Sequence, residues 1–341
     1  MTVITNPFDA GGFSLAEMTE AINLLPNRYG RVGQLGIFRD EGVTQRQIVI
    51  EEHDGTLSLL PSVPPGGPPT LANRDARRQR SFVVPHIPHD DVILPQDVQG
   101  IRAFGATDAA DPLAHLMERR LARMRMKHGQ TLEFMRVNAL RGQLRDGAGS
   151  VLYDWHAEFG ISQKTVDFAL GSAGTEVQEK CREVVRHVET NLRGETMTGV
   201  HALVSAEFWD KLVKHASVKD AYRYYAATQG GQPLREDVRR GFPFAGVVFE
   251  EYSATVTLST GAAERLVPAN DGIAVPLGTG DAFVTCYAPA NMIEAANTVG
   301  LPLYARQVAR ADGRGIDLLT ESNPLPVVRR PALTVRIHSS N

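Results

Sequence analysis

Residues 111 to 146 constrain the fold more than any other stretch, because they form one amphipathic pattern with no proline after its first turn. Asp111 can act as N-cap, and Pro112 occupies the first helical position, where a missing N–H costs nothing. Leu113, Met117, Leu121, Met124, His128, Leu132, Met135 and Ala139 recur at spacings of four and three, while Arg119, Arg123, Lys127, Arg136 and Arg145 fall on other faces. The pattern predicts a helix over 111–146, on the order of 50 Å long. Gly129 weakens its middle by about 1 kcal/mol relative to alanine, and Gly142 with Gly147 let its end fray. A single stripe on so long a rod implies that one side rests on a sheet or helix and the other stays wet.

The 341 residues leave room for about two domains. With 43% hydrophobic and 22% charged residues, the composition is that of a folded globular chain. A formal net charge of −3 without a run of like charge argues against a polybasic tail for nucleic acid or membrane. Cys181 and Cys286 are too few and too far apart for a disulfide framework or a cysteine zinc site. Nothing before Arg28 is basic, so no signal peptide is expected, and no stretch reaches the ~18 apolar residues of a membrane helix.

Residues 1–32 read as an arm. Ser14 and Glu17 form a capping box ahead of Leu15, Met18, Ile22 and Leu25, and Pro26 ends the short helix, whose apolar face must dock on something. Gln47–Glu52 and Thr56–Leu60 flank Asp54-Gly55, a preferred hairpin turn, which would set Ile50 opposite Leu59 and Glu52 opposite Leu57. Pro61, Pro64, Pro65, Pro68 and Pro69 then hold the chain extended before it returns through an arginine-rich piece to a strand over 80–84. An out-and-back excursion of this kind has little of its own to bury. Beyond the long helix, 151–155 reads as a strand and 175–192 as a helix whose apolar face carries Cys181. Short strands over 200–204, 242–252, 256–258, 265–268 and 272–276, with a helix capped by Ser205, make a compact α+β unit. Strand-like pieces over 303–308, 316–321 and 333–337 return to the long helix.

Chemistry-bearing motifs are sparse. Gly230-Gly231 and Gly278-Thr-Gly280 lack the Lys-Ser/Thr of a phosphate loop, and neither a Gly-x-Ser-x-Gly elbow nor a His-Glu-x-x-His helix occurs. Glu51-Glu52 and Glu250-Glu251 are adjacent on strands, so each pair points to opposite faces. His201 and His215 stand singly and read as surface or capping groups. The one cluster with metal-ligand residue types is His86, His89 and Asp90, held on an extended backbone by Pro85 and Pro88.

An ordered set of segments carries a family likeness. It runs through Ile22-Asn23-Leu24, Gly36-Ile37-Phe38, Arg80-Ser81-Phe82 with Pro85-His86, Gln99-Gly100-Ile101-Arg102 and Phe104-Gly105. It continues with Asp167-Phe168, Phe208-Trp209-Asp210, Phe249-Glu250-Glu251-Tyr252, Ala288-Pro289-Ala290, Asn297-Thr298 and Ser322-Asn323-Pro324-Leu325 before Arg330-Pro331. The whole resembles the major capsid protein E family of tailed bacteriophages, the lambda-like branch of the Hong Kong 97-type capsid fold. The resemblance implies an α+β fold with an N-terminal arm (1–32), an extended β-hairpin loop (33–92), a peripheral domain with a spine helix (93–194), an inserted axial domain (195–290) and return strands (291–341). It further implies a non-enzymatic major capsid protein without cofactor or metal. Such a protein is made and assembled in the host cytoplasm and located in the virion, where hexamers and pentamers of an icosahedral shell enclose double-stranded DNA.

Expected partners are other copies of the chain, a separate scaffolding protein, a portal and a decoration protein. Candidate contacts between copies are Leu15, Met18 and Ile22 on the arm and Ile50, Leu57, Leu59, Arg74, Arg77, Arg78 and Arg80 on the loop. Some shells of this fold join subunits through a loop lysine, but residues 33–92 contain none, so a non-covalent shell is expected. Two alternatives stay open at this point: a metal-dependent hydrolase using His86, His89 and Asp90, and a ring-forming oligomeric adaptor.

Overall fold

The structure, a computed structural model of the chain, describes residues 18–19, 30–53, 77–98, 111–219, 221, 239 and 241–341. A one-turn helix, α1 (Arg31–Gln34), leads into strand β1 (Arg39–Gly42) and then the two arms of a ribbon, β2 (Gln47–His53) and β3 (Arg77–Val83). Strand β4 (Ile87–Ile93) and one turn of helix, α2 (Pro95–Val98), precede the long helix α3 (Asp111–Leu140). Next come β5 (Gln143–Arg145), β6 (Val151–Asp154), α4 (Trp155–Phe159), β7 (Lys164–Asp167) and α5 (Val177–Asn191). Strand β8 (Gly199–Val204) and helix α6 (Ala206–Lys214) are followed by β9 (Phe242–Phe244), β10 (Val247–Glu251), β11 (Thr255–Thr257), β12 (Ala263–Arg265), β13 (Asp271–Leu277) and β14 (Phe283–Tyr287). The chain closes with β15 (Tyr304–Ala309), β16 (Ile316–Ser322), β17 (Pro324–Val328) and β18 (Val335–His338).

Helix α3 stops at Leu140, short of the expected Asp146. Gly142, at φ 101°, turns the chain where a Cβ would meet the His156 ring at 2.3 Å, and β5 then pairs with β6. The wet side also ends early. From Glu133 to Leu140 every residue is buried, and Arg136, expected on an outer face, lies inside with its guanidinium bonded to Thr285 and Asp40.

The helix joins two hydrophobic cores. Leu113, Leu116, Met117, Leu121 and Met124 pack with Ile93, Ala305 and Leu318 of the three-stranded sheet β15-β16-β4 and with Leu303 just before β15. Phe134, Met135, Val137, Ala139 and Leu140 belong to the larger core, which includes the six-stranded sheet β7-β18-β13-β8-β10-β9. Gly129 lies between the two grips. The six-stranded sheet draws on residues before 195 and after 290 as well as between, because β7 and β18 pair alongside β13. Helix α5 buries Val177, Cys181, Val184 and Val188 in this core. Burial pushes the Cys181 thiol up to about 12, which leaves it an inert core group.

Several strands differ from the sequence reading for local reasons. The expected strand over 242–252 folds into a hairpin, β9 and β10, at Ala245-Gly246, both with positive φ. Trp155 begins α4 instead of ending a strand, because the Asp154 carboxylate accepts from the His156 and Ala157 amides and starts a helix. Strand β17 contains Pro324 and Pro326, yet it is the edge of the sheet β1-β14-β17, where a missing N–H can face outward.

A candidate assembly site at the roots of the ribbon and the arm

The ribbon pairs β2 with β3 over seven residue pairs, from Gln47 opposite Val83 to His53 opposite Arg77. Ile50 therefore faces Arg80 and Glu52 faces Arg78, not Leu59 and Leu57 as a tight Asp54-Gly55 hairpin would require. That turn, with Leu57, Leu59 and Arg74, lies outside the described residues. The observed register places Ile48, Ile50 and Phe82 on one face against the large core. The opposite face carries Val49 and Val83, which are 54% and 60% exposed.

Aromatic packing holds the ribbon's base. Phe82 is 1% exposed and meets the Tyr153 and Trp155 rings edge-on, each at 5.3 Å between centroids. The Tyr153 hydroxyl donates to the Val83 carbonyl at 3.0 Å and accepts from the Val83 amide at 2.8 Å. Arg80 lays its guanidinium over Phe159 at 5.2 Å and donates to the Glu158 carbonyl. The Val84 amide donates to the Arg46 carbonyl at 2.8 Å and closes the base.

The arm is rooted by a buried polar cluster. In α1, Arg31 donates to both Glu250 carboxylate oxygens, at 2.6 and 2.9 Å, and His201 Nε2 donates to the same carboxylate at 3.0 Å. Burial alone would raise the Glu250 carboxyl, but the bonds from His201 and Arg31 outweigh it and hold the group below its ordinary value. His201, expected as a surface or capping group, is instead 5% exposed on β8. One turn away, the Glu133 carboxylate accepts from the Val32 amide at 2.9 Å and from the Tyr252 hydroxyl at 2.7 Å. Helix α1 is thus tied to α3 and to the six-stranded sheet at once. Earlier in the arm, Met18 is 2% exposed in the smaller core, and Thr19 Oγ1 accepts from the Ala305 amide at 3.2 Å. Leu15 and Ile22 lie outside the described residues.

Of the predicted site residues, Met18, Ile50 and Arg80 pack within their own chain, and Arg77 and Arg78 sit on β3. His86, His89 and Asp90 do not converge. His86 Nδ1 lies 3.0 Å from both Glu321 and Asn323, whereas His89 Nε2 accepts from Lys127 Nζ at 3.1 Å, and Asp90 is exposed. Among the described residues no three His, Cys, Asp or Glu side chains are grouped as metal ligands.

The seam between α3 and the sheet β15-β16-β4 carries a pH dependence. His128 is 8% exposed and its Nε2 donates to Thr320 Oγ1 at 3.0 Å, while Thr320 Oγ1 donates to the His89 carbonyl. Burial, then the nearby His89 and Lys127, push His128 from 6.5 down to about 4. The unfolded chain therefore takes up a proton that the folded chain refuses, and stability falls as pH drops from about 6.5 to about 4 and levels off below. The loss comes to about 3 kcal/mol. Urea midpoints at pH 7 and pH 4 check it: His128→Gln keeps the donor and removes this part of the pH slope.

A smaller core and a larger sheet core strung on one long helix, with an extended ribbon and an anchored arm, are the arrangement of a Hong Kong 97-type capsid subunit. The structures that resemble it agree. One is the mature capsid of bacteriophage PhiM1, with a TM-score of 0.51 and 15% identity, covering 89% of this chain and 85% of that one. Another is the capsid of cyanophage P-SCSP1u, with a TM-score of 0.51 and 10% identity, covering 93% and 90%. In sequence, the chain is 34% identical to the major capsid protein of Pseudomonas phage KPP10 over 340 residues, covering 95% of this chain and 96% of the relative. It is 28% identical to that of Salmonella phage Felix O1 over 355 residues, covering 96% of each. Residues 14–339 match the family of phage major capsid protein E, and the chain belongs to that family. Its function is that of the major capsid protein of a tailed phage, and its place is the virion. Among the described residues no helix is long and apolar enough to cross a membrane.

Proposed function

We propose that copies of this chain form the hexamers and pentamers of an icosahedral shell around double-stranded DNA, that ribbon and arm lie on neighbouring copies, and that the shell is joined without covalent links. The single observation that carries this reading is the ribbon, two strands only, buried on one face at its root and presenting Val49 and Val83 on the other. A two-stranded ribbon is marginal on its own in water. Covering its outer face with a sibling satisfies both, and repetition around closed rings multiplies many weak contacts into a stable shell. Since Met18, Ile50 and Arg80 are engaged at home, the remaining candidates for contacts between copies are Leu15, Ile22, Leu57, Leu59, Arg74, Arg77 and Arg78. The parts act as arm (1–32), extended loop (33–92), peripheral region (93–194 and 291–341) and axial region (195–290).

The role is structural, without catalysis, and a scaffolding protein, a portal and a decoration protein are separate partners. The divergence of His86, His89 and Asp90 weighs against the hydrolase reading. Negative-stain microscopy of the expressed chain tests the shell, and fixed single rings would favour an adaptor instead. Boiled particles on a denaturing gel test the joint. With no lysine between 33 and 92, the chain is expected to run as a single monomer band, and a ladder of multimers would refute the non-covalent reading.

A further inference from the structure

Three basic side chains at helical spacing lie on the outer surface of α3: Arg119, Arg123 and Lys127 are all exposed, each four residues from the next. They span about 12 Å along the helix axis. Two other arginines of the same helix pair with acids where they reach the body: Arg120 with Asp91 and Asp97, and Arg136 with Asp40. Arg119 and Arg123 have no acidic partner among the described residues, and Lys127 donates only to the neutral ring of His89. Like charges four apart on a helix repel, so the row weakens the helix that carries it. Stability therefore does not account for it, whereas an anionic partner would.

The nature of that partner follows from what the surface lacks. The exposed large hydrophobic side chains of the described residues are Val49, Val83, Val151, Ile293, Val299 and Leu301, none of them on α3. A folded protein or peptide partner ordinarily needs an apolar anchor inside a polar rim. A duplex needs none, because it presents evenly spaced phosphates and is held by charge alone.

We propose that Arg119, Arg123 and Lys127 form a rail that binds the phosphate backbone of duplex nucleic acid without reading its sequence. The proposal rests on the shell reading above, since a capsid protein meets duplex DNA. The test titrates unassembled full-length chain against a fluorescent random-sequence duplex of about 30 base pairs, by anisotropy, across a salt series. Three neutralised phosphates predict a slope of log affinity against log salt of about −2.7, which is about a 40-fold loss between 50 and 200 mM salt. The variant carrying Arg119→Gln, Arg123→Gln and Lys127→Gln together keeps helix-forming residues at all three sites and is expected to bring the slope close to zero. An unchanged slope in the variant overturns the proposal, as does wild-type chain that does not bind duplex. Equal binding of polyglutamate by the row overturns the assignment to nucleic acid. Shell formation by both proteins, scored separately by microscopy, tests the shell reading, so the two ideas fail by different observations.

Discussion

Gly300→Ala is expected to be among the most damaging single substitutions in this protein, although it adds only one methyl group. A Cβ at position 300 would lie 2.0 Å from the Tyr287 carbonyl oxygen, 2.5 Å from its carbon and 2.7 Å from the Ala288 carbonyl carbon. All three are backbone atoms of β14 or the residue after it, so no side chain can swing aside. The Gly300 amide donates to the Val43 carbonyl at 2.9 Å, and a Cβ on Gly42 would in turn meet the Gly300 oxygen at 2.4 Å. Two glycines thus let three backbone segments pass at a distance that no other residue permits. Relief requires the 299–301 segment to leave β14, for which about 3 kcal/mol or more is expected. In a chain of 341 residues that lowers the melting temperature by about 4 °C. Gly174→Ala, where the added atom would meet nothing within 4 Å, is the control and should melt with wild type. Equal melting of the Gly300 variant would show that the close approach does not exist.

Phe82→Ala is expected to cost about 4 kcal/mol, the middle of the range for deleting a buried aromatic side chain. Its consequence is local before it is global. Phe82 is the ribbon's main apolar anchor: it fills the space against Tyr153 and Trp155 at the base of β3, and removing it leaves Arg80 and the Tyr153 hydroxyl to hold the strand. The variant should show faster hydrogen exchange over β2 and β3 while α5 and β13 keep wild-type protection. It should also fail to form shells at concentrations where wild type assembles. Phe82→Leu keeps most of the volume and should retain assembly. If the alanine variant exchanged and assembled as wild type does, the ribbon would not be held by this contact.

The long helix, the second helix with Cys181 on its inner face and most strands of the later region could be read from spacing, because each depends on residues near in sequence. The ribbon's register could not. Asp54-Gly55 is a strong local turn signal, but the pairing of Gln47–His53 with Arg77–Val83 is decided by Phe82 reaching Trp155, a contact invisible to local pattern. The same holds for Glu250, which adjacency to Glu251 set only on the opposite face of a strand. Its partners Arg31 and His201 lie 219 and 49 residues away in sequence. Strand β17 was hidden by its two prolines, which an edge tolerates and a central strand would not. The basic row on α3 was legible as three residues on outer faces, and only the absence of acids around two of them distinguishes it from an ordinary wet surface.

Helix α3 is gripped at one end by the smaller core and at the other by the sheet core, with the buried His128 bonded to Thr320 between them. Its 30 residues make a lever about 45 Å long. A tilt of about 2° at one grip would move the far end by roughly 1.5 Å, more than a close-packed interior can absorb by side-chain adjustment alone. Angle set at one end of this molecule is therefore delivered to the other as displacement.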